Sequence, residues 1–492
     1  MQIDEELQTI LDVVGRFAED NIDARKIDLA HGFDRSILED LGDLGVFGAS
    51  IPEEYGGLEL GLGGVCCLVE RMARVDRAVA TTVGLHLGLG TRGLIAFGSE
   101  EQKQRYLPEL AAGTKLAAFA ATEPGAGSDL AAISTKGVVH GNEMVIDGAK
   151  IFVTNGGLAN VFTIVAFTPG LGGARRGHSV VVLEDSDPGV VVGAEEEKLG
   201  LRGSSTVSVN FDGARIPLDR VVGQPGKGQA HMSHILAWGR TAMAAGCCGT
   251  ARSALDATTL HVQERKQFRR PLAKFAVVQQ QISEMVALHY AMWANVMATA
   301  KVEETDELDP LSLVAKVFNS ESNWDICDLA TQLHGGSGYI EETGIPLMLR
   351  DARITRIFEG ANDVLVIHCG TREALVGSAV PVWPDENDPL VQSATKLRQL
   401  VEAQRQEIVA ACGVRLIRKQ RLLHRLGRLV VLRDTSDAVV RRAHLEGTEL
   451  ARLIADHWLH IAHKRALPFL KDLAPLDKIE AIAMAQYEGE KP

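Results

Sequence analysis

The segment RIFEGANDV, residues 356–364, places the carboxylate Glu359 between an apolar pair and a glycine. A carboxylate held among apolar groups can act as a general base, because burial brings its pKa toward neutral pH. The simpler alternative is a solvated glutamate at the end of a helix. The segment alone does not decide between the two interpretations.

A second segment with the residue types of a binding site is ATEPGAGSDL, residues 121–130. Its glycines allow backbone N–H groups to approach a ligand, and Thr122 and Ser128 add hydroxyl groups. The same pattern is also typical of an ordinary turn that leads into a strand. Both interpretations stay open on this segment alone.

Three other motifs resemble known sites but lack the context that those sites require. GLGTRG (88–93) has the glycine spacing of dinucleotide-binding loops, but no strand precedes it. LHGGSG (333–338) is similar to an esterase oxyanion loop, but the chain has no GxSxG motif. His457, His460 and His463 favour a polar helix face over a metal site, because no second ligand cluster accompanies them. We therefore expect no Rossmann domain, no hydrolase and no metal.

The elements that position these residues change in type along the chain. Apolar side chains recur at helical spacing, then come short β-rich runs separated by Gly and Pro, and then Ala-rich helices return. Strands and helices are not interleaved, which argues against a doubly wound sheet. We predict an α+β protein made of an N-terminal helical domain (1–115), a small β-barrel domain (116–225), a helical bundle (226–375) and an extra C-terminal helical domain (387–492).

Composition narrows the class of protein. The 492 residues carry a net charge of −13, which argues against nucleic acid as a partner. The seven cysteines form no CxxC pair and indicate reduced thiols, not a disulfide framework. Residues 1–20 are acidic and amphipathic, unlike a signal or transit peptide, so we expect a cytoplasmic protein.

Taken together, the motifs resemble the acyl-CoA dehydrogenase family over nearly the whole chain. The similarity is greatest to the very-long-chain branch, which has an extra C-terminal helical domain. One such motif could match by chance, but an ordered set is specific. In sequence order the motifs are IPEEYGG, ATEPGAGSD, GAKIFVTNGG, EEKLGLRGSST, AWGR, ERKQF, QLHGGSGY and RDARITRIFEGAND.

The resemblance implies an FAD-dependent enzyme that oxidises an acyl-CoA thioester to the trans-2-enoyl-CoA. Glu359 would take the α-proton while flavin N5 accepts the β-hydride. Contacts to the substrate would come from Ser128, Arg240 and Gly360. Contacts to FAD would come from Phe119, Ala121, Thr122, Ser128, Phe152, Val153, Thr154, Arg265, Phe268, Gln332, Gly336, Ala361 and Asp363.

The same resemblance implies partners. Arg265 and Phe268 would reach the FAD of a neighbouring subunit, so a homodimer is the minimal unit. An electron-transferring flavoprotein would accept the electrons. The glycine-bearing segment 82–93 borders the acyl site in this family, which favours a long, straight acyl chain.

Some positions depart from the family pattern. Ala361 replaces a threonine, Ala276 a glutamine and Arg269 a glycine, and Phe152 stands where tryptophan is common. A lost hydrogen bond costs about 0.5–1.5 kcal/mol, so we expect weaker flavin binding and not its loss. Two alternatives therefore stay open: a non-catalytic scaffold or assembly protein, and an acyl-CoA oxidase or a dehydrogenase of carrier-bound acyl groups.

Residues 413–433 contain seven Lys or Arg and no acidic residue, with apolar residues near helical spacing. Such a basic amphipathic helix could make peripheral contact with an anionic membrane. The alternative is a helix that packs on the core and leaves its basic face in solvent. We favour the second interpretation, because Gln420 and Gly427 interrupt the apolar stripe.

Overall fold

The computed structural model describes residues 5–173 and 177–470. Its N-terminal domain is helical, as predicted. Capping side chains fix where several of these helices begin; Asp76, for example, accepts a hydrogen bond from Val79 N at 2.7 Å at the start of the fifth helix. The helices are α1 (Glu5–Asn21), α2 (Ala24–Ala30), α3 (Arg35–Asp43), α4 (Gly61–Ala73), α5 (Arg77–Leu85), α6 (Arg92–Phe97) and α7 (Glu100–Ala111).

The GLGTRG motif lies within this helical domain. A π-helical turn (His86–Gly90) joins α5 to α6, and no strand precedes it between residues 5 and 85. A Cβ on Gly90 would lie 2.7 Å from the Cβ of Ala117, and one on Gly88 would lie 3.4 Å from the Cα of Gly239. The glycines therefore serve close packing, as expected for a segment without a dinucleotide-binding context.

The middle of the chain forms one mixed eight-stranded sheet. Strands pair in the order β6-β7-β3-β2-β4-β5-β8, and β1 adds in parallel to β4. Among the described strands no pairing joins β6 to β8, so the predicted barrel is not confirmed. The strands are β1 (Ala117–Ala120), β2 (Lys136–His140), β3 (Glu143–Thr154), β4 (Val161–Phe167), β5 (His178–Glu184), β6 (Val190–Glu195), β7 (Thr206–Pro217) and β8 (Val221–Val222).

Helices return after the sheet and continue to the end of the described chain. A short hairpin of β9 (Lys266–Gln267) and β10 (Arg270–Pro271) interrupts them. Of the predicted C-terminal domain, residues 471–492 lie outside the described ranges. The helices are α8 (Gly228–Glu264), α9 (Ala276–Ala300), α10 (Leu308–His334), α11 (Ile345–Ile354), α12 (Asn362–Val376), α13 (Pro389–Cys412), α14 (Gln420–Glu446) and α15 (Glu449–Leu470).

The three histidines of α15 do not form a metal site. His457 pairs with Ser283 and His463 with Ser393, and no group of three potential ligands in the described ranges could hold a metal ion. The same ranges contain no helix that is long and apolar enough to cross a membrane.

Helix α14 covers most of the basic segment 413–433, but the helix begins only at Gln420. Residues Gly413–Arg418 form a short 3-10 helix, so the predicted continuous helix is wrong in its first turns. The apolar residues Leu423 and Leu426 are buried, as the packed interpretation predicted.

Two glycines explain why α14 packs so closely on α12. A Cβ on Gly427 would lie 1.9 Å from the carbonyl oxygen of Val366, and one on Gly370 would lie 1.9 Å from that of Leu423. The two backbones therefore touch where they cross. Gly427, which interrupts the apolar stripe in the sequence, is the residue that permits this contact.

We predict that Gly427→Ala destabilises the protein. Alanine favours a helix by about 1 kcal/mol over glycine, but overpacking at a tight contact costs about 1–3 kcal/mol. The expected net loss is roughly 1 kcal/mol in the free energy of unfolding, measured by urea denaturation. Leu445→Ala on the same helix is the control, because that side chain is 82% exposed. A Gly427→Ala variant as stable as wild type would contradict the close crossing.

Candidate functional site

A cavity of about 570 Å³ lies where the N-terminal helices, the sheet and the helical bundle meet. Its walls come from α5, the loop after β1, the end of β3, helix α8 and the segment around Glu359. The structure thus brings together residues from Val69 to His368, which lie 299 residues apart in the chain. The predicted site residues that line this cavity are Phe119, Ala121, Thr122, Ser128, Phe152, Thr154, Arg240, Glu359, Gly360 and Ala361.

Glu359 faces the cavity from the loop that joins α11 to α12, residues 355–361, which we call the base loop. Its Oε2 atom is buried and has no hydrogen-bond partner in the described chain. Burial raises the pKa of this carboxyl to about 7, although the nearby cations Arg240, Lys316 and Arg77 oppose the shift. The solvated helix end considered for Glu359 is therefore wrong, and a carboxylate with these properties can exchange protons near neutral pH.

The base loop has an unusual backbone at this point. Glu359 has φ of 55° and Gly360 has φ of 104°. A residue with a side chain in the left-handed region costs roughly 1–2 kcal/mol. Such a conformation persists only where neighbouring groups hold it.

Two cations hold the base loop through its carbonyl groups. Arg240 donates from Nε to the Glu359 carbonyl at 3.1 Å, and Lys316 donates from Nζ to the Gly360 carbonyl at 2.6 Å. Arg240 also pairs with Asp309 at 3.3 Å. Burial lowers the pKa of both cations, that of Lys316 to about 7, because a charge is costly away from water.

Space for the carboxylate comes from Gly239. A Cβ at this position would lie 3.1 Å from Glu359 Oε2 and 2.2 Å from Leu89 Cδ2. Any larger residue would therefore fill the region in front of the carboxylate.

A buried ion pair shapes the loop that follows β1. Lys150 Nζ contacts Glu123 at 2.8 Å and also donates to the carbonyls of Ala121 and Val165. Glu123 accepts further hydrogen bonds from Ser134 and Thr135. Burial would raise the pKa of Glu123, but these hydrogen bonds outweigh it and lower the pKa to about 2. Removing one member would leave the other charge buried without its partner, so the pair fixes the loop.

The cavity residues fit a planar aromatic cofactor. Phe152 has φ of 55° and is 61% exposed, so its ring faces the cavity without a covering partner. Thr122 and Thr154 line the same cavity and carry hydroxyl groups that can donate to ring heteroatoms. An exposed aromatic face beside hydroxyl donors suits the isoalloxazine ring of a flavin.

The other predicted cofactor residues do not line this cavity. Val153 packs in the core of the sheet. Arg265 and Phe268 lie at the β9–β10 hairpin, and Gln332 and Gly336 lie near the end of α10, all of them exposed. Their predicted contacts with FAD stay predictions.

Asp363, the remaining predicted cofactor residue, does not line the cavity either. Its side chain is 84% exposed and faces His424 and Arg428 of α14 at 3.5 and 3.9 Å. The predicted contact of Asp363 with FAD stays a prediction.

Arg269, which departs from the family pattern, lies in the β9–β10 hairpin. Phe268 and Arg269 at its tip both have positive φ, 48° and 64°. A two-residue hairpin turn with both residues in this region normally favours Asn-Gly. Arg269 in place of glycine therefore adds local strain at an exposed tip.

Sequence reasoning missed three polar residues near Glu359. Lys316 is fully buried, and its signal was a single lysine inside the apolar helical run LSLVAKVF. Arg77 and His368 line the cavity. Neither of these two had a signal in the sequence, because helical positions alone do not show which face meets a cavity.

Comparison with known proteins agrees with this architecture. Models of the N-terminal, middle and C-terminal domains of acyl-CoA dehydrogenases match residues 4–114, 118–214 and 226–373. The very long-chain specific acyl-CoA dehydrogenase, mitochondrial, of Macaca fascicularis is 37% identical over 367 residues, 73% of this chain. Those residues cover 56% of that protein, so the chain spans about half the length of the curated relatives it matches.

Two solved structures are also similar. The acyl-CoA dehydrogenase complexed with FAD from Bacillus anthracis has a TM-score of 0.84 and 28% identity, over 100% of this chain and 92% of that one. A chain in the structure described as the electron transferring flavoprotein of Acidaminococcus fermentans has a TM-score of 0.72 and 33% identity, over 77% of this chain and 100% of that one.

The domain models together span most of the chain, and the cavity with its buried carboxylate lies among the residues they match. The chain belongs to the acyl-CoA dehydrogenase family of FAD-dependent oxidoreductases.

Proposed function

We propose that this chain is an FAD-dependent acyl-CoA dehydrogenase that forms a trans-2-enoyl-CoA. The observation that carries the proposal is the unpartnered Oε2 atom of Glu359, which faces the cavity from a loop held by Arg240 and Lys316. A structural carboxylate would be expected to have a hydrogen-bond partner. A catalytic base needs one oxygen free for the substrate proton.

In the proposed reaction Glu359 takes the α-proton of the thioester. The electron pair of that C–H bond becomes the new double bond as the β-hydrogen leaves with its pair. FAD, when bound in the cavity, would supply the acceptor for that hydride. The nearby cations Arg240 and Lys316 favour the ionised form of Glu359 before the transfer. The backbone N–H of Glu359 is proposed to donate to the thioester oxygen, where it would stabilise the enolate, and the family resemblance supports this role.

The proposed substrate is a long, straight acyl chain. Helix α5 and the turn after it contribute Ala80, Gly84, Leu85 and Leu89 to the cavity wall. Small and apolar side chains on one helix face leave room for an extended apolar group and exclude water from it.

One observation favours a second substrate class, an acyl chain with an anionic far end. Arg77 lines the same cavity and is 5% exposed. Its Nη2 donates to the Met243 carbonyl at 3.1 Å, but its buried Nε has no partner in the described chain. A buried guanidinium that forms no ion pair within the described residues is costly, and a terminal carboxylate on the substrate would offset that cost.

The proposal includes partners and location. An electron-transferring flavoprotein is the proposed acceptor, a homodimer the proposed assembly and the cytoplasm the proposed location. Peripheral membrane contact through α14 would not involve Leu423 and Leu426, since both are buried.

We predict that Glu359→Gln abolishes substrate-driven flavin reduction. The amide cannot accept the α-proton, so the rate should fall by at least about 10³-fold. Anaerobic titration with palmitoyl-CoA, followed by flavin absorbance, measures this. Glu304→Gln is the control, since its side chain is 78% exposed and does not line the cavity. Equal bleaching in the two variants would remove Glu359 as the base.

The pKa of Glu359 predicts the pH dependence of the reaction. The base must be ionised, and its pKa is raised to about 7, so kcat/KM should level off above neutral pH. Below pH 7 it should fall about tenfold per pH unit as the carboxylate is protonated. A profile that stays flat from pH 8 down to pH 5.5 would contradict this assignment.

A chain-length series separates the two substrate classes. For a long apolar chain, kcat/KM should be at least about tenfold higher for palmitoyl-CoA than for butyryl-CoA, because each buried methylene contributes about 0.8 kcal/mol. For the second class, an acyl-CoA with a terminal carboxylate should be the better substrate, and Arg77→Met should remove that advantage. Turnover confined to butyryl-CoA would contradict both.

A further inference from the structure

A series of polar contacts connects the C-terminal helical domain to the base loop. Arg428 on α14 donates to Glu321 on α10. The other oxygen of Glu321 accepts from the Asn362 amide at 3.3 Å, and the Asn362 oxygen accepts from Lys316 Nζ at 2.7 Å. Lys316 Nζ in turn donates to the Gly360 carbonyl at 2.6 Å. The contacts run without a gap from α14 to the residue that follows Glu359.

The two members of this series nearest the base loop are more buried than the two outer members. The Arg428 and Glu321 side chains are 19% and 24% exposed, Asn362 is 5% exposed, and Lys316 is fully buried. Ser320 adds a hydrogen bond from the Asn362 amide at 3.0 Å. Hydrogen bonds between buried polar groups are strong, because the local dielectric is low.

The backbone at the far end of the series needs such support. Glu359 and Gly360 both have positive φ, and the Gly360 carbonyl is held by Lys316. Lys316 can donate in a fixed direction only if its second acceptor, Asn362, is fixed too. Asn362 is the first residue of α12, the helix on which α14 packs through Gly370 and Gly427.

The outer end of the series lies beyond the residues that the family models match. The C-terminal domain model ends at residue 373, whereas Arg428 belongs to α14. The additional C-terminal helices therefore contact the rest of the chain through residues that lead to the base loop.

We propose that the C-terminal helical domain positions Glu359 for proton abstraction through Arg428, Glu321, Asn362 and Lys316. The four are positioning residues, since none of them lines the cavity. This proposal rests on the proposed function, in which Glu359 is the base. It assigns the C-terminal domain a role in catalysis and not only in packing.

Because none of the four residues lines the cavity, a role in positioning Glu359 can be distinguished from a role in binding the substrate. A change in this series should not alter substrate contacts, so KM should change little. The rate of flavin reduction should fall, because an error of about 1 Å in the placement of a base can cost up to 10²-fold.

The first experiment compares Arg428→Met with Arg442→Met in the full-length flavoprotein. Arg442 is a matched control on the same helix, with a 26% exposed side chain, an ion pair to Glu446 and a hydrogen bond to the Tyr290 carbonyl. Arg428→Met should lower kcat by about tenfold, with KM within about twofold, whereas Arg442→Met should keep the wild-type kcat. Arg428→Lys should restore part of the loss. Equal kcat values for the two methionine variants would overturn the proposal.

A double-mutant cycle tests whether Arg428 acts through Lys316. Among the described residues, the hydrogen bonds that join the two pass through Glu321 and Asn362, and effects of sites without shared partners normally multiply. If the series is continuous, Arg428→Met combined with Lys316→Met should lower kcat little more than Lys316→Met alone. If the effects of the two single substitutions on kcat multiply in the double variant, the proposed connection between Arg428 and Lys316 is wrong. Lys316→Met should also raise the apparent pKa of kcat/KM, because Lys316 lowers the pKa of Glu359.

Hydrogen exchange provides a readout that needs no substrate. Amide exchange in a peptide covering residues 355–363 should be faster in Arg428→Met than in wild type, and unchanged in Arg442→Met. If no acyl-CoA reduces the flavin, the proposed function fails, but this comparison still tests the positioning of the loop. Unchanged exchange in Arg428→Met would overturn the positioning role.

Discussion

The structure depends on a carboxylate that lies out of water on a strained turn. Glu359 has a positive φ, a buried oxygen without a partner and a pKa raised to about 7. Each of these features is unfavourable for stability taken alone. They coexist because Arg240 and Lys316 hold the carbonyls of the same turn and supply positive charge near the carboxylate.

The elements around Glu359 make room for its carboxylate and hold the walls of the cavity in place. Gly239 on α8 leaves the volume that the carboxylate faces, and the close crossing of α12 and α14 fixes the helix that follows the base loop. On the opposite wall, the buried Lys150–Glu123 pair fixes the loop that carries Thr122 and Ser128. The cavity is therefore bounded by polar contacts at its walls while its interior stays largely apolar, which suits chemistry that needs water excluded.

Part of the site could be predicted from local motifs. Glu359, Arg240 and the 121–128 loop were singled out by ordered motifs, and the structure brings all three to one cavity, while their roles stay predictions. The glycines of 88–93 begin in a π-helical turn, and Gly88 and Gly90 pack closely against Gly239 and Ala117. The continuous basic helix was wrong in its first turns, since α14 begins only at Gln420. The barrel is not confirmed, and the FAD contact of Asp363 stays a prediction.

The sequence by itself determined the order of helical and β segments and the family, and it singled out Glu359 as the proposed base. These follow from local periodicity and from motifs whose residues are adjacent in the chain. Only the tertiary structure decided which distant side chains meet at the base loop. Lys316 lies 43 residues before Glu359 in the sequence and Arg428 lies 69 residues after it, and neither belongs to a motif. Their link to the base comes from helix packing and from hydrogen bonds formed far apart in the chain, and no local pattern encodes such contacts.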